Sequence, residues 1–167
     1  MLDTNTLDYI YFNKIHLVPK LKDFSKKHIN LYITHIQQDE INNIKDSSKK
    51  DCITKIISSI KIKRVLAVST IIDIDKQSKH RLIEPMLDIY KLGVESDLHI
   101  LKKLRKQPFS NNMGKTADLL IIYAAIKKKM DYLITDNTYD FEPILKEMSK
   151  FIPNYLQVKK NYYLNYF

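Results

Sequence analysis

Four carboxylates fall at four predicted elements, on one edge of the expected sheet: Asp3, Glu40, Asp118 and Asp136. Asp3 follows the apolar start Met1–Leu2. Thr34 ends a second apolar segment, and Asp39 and Glu40 lie in the helix expected after it. Asp118 belongs to the first turn of a helix expected to begin near Lys115 or Thr116. Asp136 follows Tyr132–Thr135, with Asp140 four residues on. Each acid alone has an ordinary explanation: a helix-dipole partner for Asp118, a turn residue for Asp136, a terminal surface charge for Asp3. Together they are harder to dismiss, because clustered carboxylates repel one another unless a cation joins them. All-oxygen ligands select a hard cation such as Mg²⁺ or Mn²⁺. The histidines, His16, His28, His35, His80 and His99, show no ligand spacing, and Cys52 is alone, which excludes an intrachain disulfide or a thiolate metal cluster.

The elements that must position these acids alternate. Strands are predicted at Met1–Leu2, Leu31–Thr34, Arg64–Val68, Tyr132–Thr135 and Tyr155–Val158. Between them lie apolar faces at helical spacing: Ile36, Ile41 and Ile44; Ile53, Ile56, Ile57 and Ile60; Leu82, Met86, Ile89 and Tyr90; Leu98, Leu101 and Leu104; Ala117, Leu120, Ile121 and Ala124. A last helix is expected over Glu142–Lys150, with Pro143 in its first turn, and Thr34 can cap the helix after the second strand. Strands alternating with helices predict an α/β fold, a central parallel sheet of four to five strands flanked by helices on both faces. Ligands of such sheets bind at the carboxyl ends of the strands, the edge to which every acid above maps.

The 167 residues suit one domain, with no repeat or linker; we divide the chain into a domain over 1–160 and an aromatic tail over 161–167. No leader-like start is present, and the longest apolar run, Leu119–Ile126, is far short of the roughly 20 residues that span a bilayer, so a soluble, cytoplasmic protein without a membrane partner is expected. A net charge of +9 favours a polyanionic partner, although the basic runs Lys61–Arg64, Lys102–Lys106 and Lys127–Lys129 also fit solvated faces.

Four motifs carry a resemblance. Asp3-Thr4-Asn5 opens the chain; Ile33-Thr34 is followed by Glu40-Ile41; Ala117-Asp118-Leu119-Leu120-Ile121 precedes Ala124-Ala125; Tyr132-Leu133-Ile134-Thr135-Asp136-Asn137 precedes Asp140-Phe141. In this order and at these distances the chain resembles the PIN-domain ribonucleases, especially the VapC-like toxins of toxin–antitoxin pairs. The resemblance implies a PIN-like domain in which Asp3, Glu40, Asp118 and Asp136 are catalytic and hold Mg²⁺ or Mn²⁺. It implies an endoribonuclease that hydrolyses RNA phosphodiester bonds to leave 5′-phosphate and 3′-hydroxyl ends. Thr4, Asn5, Thr135, Asn137 and Asp140 would orient those ligands. RNA, an antitoxin protein and a second copy of the chain are the partners implied. The fourth motif leaves open whether Asp136 or Asn137 faces the metal, and Asp136 is favoured because a carboxylate holds a hard cation better than an amide. The stretch from about Lys45 to Gln107 carries no motif and has room for an extra helix.

Other readings account for less. A haloacid-dehalogenase-type phosphatase wants a second Asp where Asn5 stands. A P-loop enzyme is excluded because Gly114-Lys115-Thr116 lacks its upstream glycine. The competitors that remain are a catalytically silent PIN fold that binds RNA or protein, and a processing nuclease rather than a toxin.

Overall fold

A computed structural model describes residues 1–27, 29–65, 100, 103–104 and 113–166. In chain order these form α1 (Thr4–Asn13), α2 (Leu17–Lys27), β1 (Tyr32–Thr34), α3 (His35–Asn42), α4 (Ser47–Ile60), β2 (Lys63–Val65), α5 (Met113–Lys127), β3 (Tyr132–Ile134), α6 (Thr138–Ser149), β4 (Gln157–Lys159) and a closing 3₁₀ helix, Asn161–Tyr166. The apolar sets expected at Leu82–Tyr90 and at Leu98 and Leu101 lie outside the described residues.

The expected central sheet of four to five strands is not what forms. The described chain is mostly helical, with two small parallel pairs, β1 with β2 and β3 with β4. Tyr32, Ile33 and Thr34 face Lys63, Arg64 and Val65, and Tyr132, Leu133 and Ile134 face Gln157, Val158 and Lys159. Met1–Leu2 is no strand of its own. Leu2 makes a single parallel bridge to Ile134, while its N–H donates to the Tyr32 carbonyl at 2.8 Å. Side chains that turn the backbone into helices end β1 and β3. Thr34 closes β1 by capping α3: its hydroxyl accepts from Gln37 N–H, and the Gln37 side chain accepts from Thr34 N–H, a reciprocal box. Asp3 caps α1. Thr135, just past β3, accepts from Asn137 N–H at 2.9 Å and bends the chain toward α6.

The helices also depart from the periodicity reading. α1 and α2 lie where no helix was expected. α5 starts at Met113, and α6 starts at Thr138, so Pro143 sits inside it rather than in its first turn. α5 is not a one-faced helix: Leu119 to Ile126 are all buried, as expected of a helix surrounded by protein.

The strands separate two cores, because successive side chains point to opposite faces. Met1 and Leu133 join α5 and α6 in one, with Phe141, Ile144 and Met148. Leu2, Ile33 and Ile134 join α1, α2 and α4 in the other, with Leu7, Ile10, Ile53 and Ile60. Leu164 of the 3₁₀ helix is buried in this second core, so the aromatic end of the chain packs on its own fold. None of the described helices is long and apolar enough to cross a membrane.

Candidate functional site

The site is built where β1 and β3 end. Asp3 is 7% exposed, a depth at which a carboxylate needs donors on all sides. It has them. Oδ1 accepts from Thr4 N–H at 2.8 Å and, more weakly, from the Gln37 amide at 3.4 Å. Oδ2 accepts from the Asn5 amide and from the Thr135 hydroxyl, both at 2.7 Å. Thr135 is fully used: it gives its proton to Asp3 and accepts from Asn5 Nδ2 at 3.0 Å and from Asn137 N–H. Asp3, Asn5 and Thr135 thus form one locked triangle, which holds the start of α1 against the end of β3.

Glu40 enters from α3. Its carboxylate accepts from the Thr4 hydroxyl, and Thr4 N–H donates to Asp3, so Thr4 bridges the two acids. Glu40 is exposed as a residue, yet its carboxylate is crowded by protein. Desolvation is the first cause that raises its pKa, opposed by the Thr4 hydrogen bond and reinforced by the charges of Asp3 and Asp39. The Asp3 pKa is also raised, again by burial first, with the hydrogen bonds from Thr135, Thr4 and Gln37 pulling it back. Nearby His35 is buried, and that burial lowers its pKa; Asp39 opposes the shift and Arg64 adds to it.

The other expected residues are placed differently. Asp136 is exposed, and its N–H donates to Asn5 Oδ1 at 3.0 Å. The Asn137 amide donates to Asp140 Oδ2 at 2.9 Å, so these two side chains engage each other. Asp118 is half-buried in the second turn of α5. Among the described residues, no three His, Cys, Asp or Glu side chains converge so that they could hold an ion together. The pair Asp3 and Glu40 is what the fold brings close. Two carboxylates are a donor set compatible with Mg²⁺, which is commonly held by one or two carboxylates while keeping several waters.

Three residues of this site were not singled out in the sequence. Gln37 spans it, donating to the Leu2 carbonyl at 2.7 Å as well as reaching Asp3. Its signal was legible, since Thr34-x-x-Gln37 is a capping-box pattern. Thr6 and Asn161, both fully buried, lie behind Asp3; the Thr6 hydroxyl is 2.6 Å from Asn161 Oδ1 and 2.6 Å from the Ile134 carbonyl. No local pattern marks a pair 155 positions apart. Comparison of the chain with protein-family models, curated proteins and solved structures found no match.

Proposed function

We propose that the chain is a Mg²⁺- or Mn²⁺-dependent endoribonuclease of the PIN type. The observation that carries the reading is the junction at Thr4, through which Asp3 and Glu40, 37 positions apart, come together at the strand ends. Two further supports are the order of the four sequence motifs and a net charge of +9, which suits a polyanionic substrate. Asp3 and Glu40 would hold the ion, with Asn5 and Thr135 fixing the Asp3 carboxylate. A bound divalent ion supplies positive charge beside a phosphate and an acidified water. Asp136, exposed at the rim, and Asp118 on α5 are the acids nearest in sequence motif to complete the set when RNA binds. Whether the RNA is a growth-arrest target or a processing substrate is decided outside this chain. An adjacent reading frame encoding a small DNA-binding protein with an acidic or aromatic tail would make it a toxin.

A second reading has its own observation. Four protein donors already satisfy Asp3, as they would in a helix cap with no catalytic task. The chain would then be a PIN-like module that binds RNA or protein without cutting. One experiment separates the two: incubation of parent, Glu40→Gln and Asp118→Asn with single-stranded RNA, with Mg²⁺ or Mn²⁺ and with chelator. The nuclease reading expects cleavage by the parent only, abolished by chelator. RNA left intact by the parent in either metal, or equal cleavage in chelator, overturns it.

A further inference from the structure

The carboxyl-terminal segment carries chemistry that the acidic site does not use. Glu147 is the last acid in the sequence; beyond it stand Lys150, Lys159 and Lys160 and four tyrosines. Buried Asn161 and Leu164 pin the 3₁₀ helix to the fold, and Thr135 N–H donates to the Lys159 carbonyl at 2.9 Å, which ties β4 to the Asp3 triangle. An aromatic row runs from the half-buried Tyr132 and Tyr163 out to the surface. Tyr132, Tyr163 and Tyr166 form a ladder, with ring centroids 5.3 Å apart at the first step and 5.7 Å at the second. Lys159 Nζ lies 5.5 Å from the Tyr163 centroid. The outer rung, Tyr166, is 75% exposed, and Tyr162 is 58% exposed. Lys160 is exposed beside them.

We propose that this lysine- and tyrosine-bearing strip docks a single strand of RNA, with bases stacking on Tyr166 and Tyr162 and phosphates meeting Lys159 and Lys160. The charge argues for a polyanion: no acidic side chain of the segment opposes the lysines. The rings argue for a single strand, because unpaired bases present free faces to aromatic side chains and paired bases do not. The position fits a substrate path, since three residue steps along and just past β3, roughly 10 Å at about 3.3 Å per residue, lead from Tyr132 to Thr135. The choice of RNA rests on the ribonuclease reading above; the strip itself does not.

The test measures binding of a short fluorescent oligouridylate to the full chain carrying Glu40→Gln, in chelator, by anisotropy. Tyr162→Ala and Tyr166→Ala should each weaken binding by at least about 5-fold, and together by about 30-fold or more, while Tyr166→Phe should retain it. Lys159→Gln with Lys160→Gln should flatten the slope of log affinity against log salt by about 1.4, near 0.7 for each lost phosphate contact. A base-paired RNA of the same length should bind less tightly than the single strand. Because both tyrosines are exposed, their truncation opens no core, and an unchanged melting temperature checks this. Unchanged affinity in the double Tyr variant overturns the strip. So does a change in oligomeric state with RNA binding intact, which would make the surface a protein interface. If the strip variants lose binding while the parent never cleaves RNA, the strip stands and the nuclease reading falls. If the parent cleaves and the strip variants bind and cleave equally well, the reverse holds.

Discussion

Replacing Asp3 by Ala separates a structural carboxylate from a surface one. The side chain caps α1 through Thr4 N–H, and loss of such a cap costs about 1 kcal/mol. It also accepts two short bonds, from Asn5 Nδ2 and Thr135 Oγ1; hydrogen bonds to a charged group contribute about 1.5–3 kcal/mol. Two effects reduce the loss. The Gln37 amide keeps the Leu2 carbonyl, and the Thr135 hydroxyl has Asn5 Oδ1 at 3.4 Å as a substitute acceptor. Removing a buried charge also relieves the desolvation that raises the Asp3 pKa. The net expectation is a destabilisation of about 2 kcal/mol, which for a chain of this length lowers Tm by roughly 4–8 °C. A solvated surface acid would change stability by less than about 0.5 kcal/mol. Urea denaturation in chelator measures the difference directly. Repeating it with Mg²⁺ adds a second reading: at a hundredfold excess over Kd the parent gains about 2.7 kcal/mol, and the Ala variant gains nothing. A variant as stable as the parent in chelator would refute the buried-cap argument, and an equal Mg²⁺ gain in both proteins would refute the assignment of Asp3 as a ligand.

The pH dependence has a definite sign. The pKa of Glu40 is raised in the fold, so between its ordinary value of 4.5 and that raised value the folded state holds more protons than the unfolded one. Stability from this group is therefore present in full below pH 4.5 and is lost as pH rises through the folded pKa. In chelator, Glu40→Gln should flatten this part of the stability profile measured by denaturation, and a slope identical to the parent's would remove Glu40 from the carboxylate pair. A further expectation concerns the helix ends. Lys61 and Lys129 hold positive φ, at 58° and 52°, where a side chain is disfavoured and glycine is not. Lys61→Gly and Lys129→Gly should each stabilise the protein by about 0.5–1 kcal/mol in thermal unfolding; a loss of stability in both would show that these lysines make compensating contacts.

Local chemistry was legible in the sequence. Thr34 ended its strand and capped the next helix as its hydroxyl predicted, and of the apolar faces, Ile53, Ile56 and Ile60, then Leu120, Ile121 and Ala124, are buried, while Ile57 and Ala117 are half-buried. What a single segment cannot encode is competition for the backbone. Asp3, Thr34 and Thr135 each turn the chain out of extended structure, so three-residue strands pair two by two where apolar runs suggested a wider sheet. Nor does local pattern distinguish a terminal acid from a buried cap. Asp3 became one because Asn5, Gln37 and Thr135, from α1, α3 and the end of β3, converge on its two oxygens. The partnership of Thr6 with Asn161 is of the same kind. It depends on the carboxyl-terminal helix returning to the first one, and only tertiary packing brings those two fully buried polar groups within 2.6 Å, where each satisfies the other.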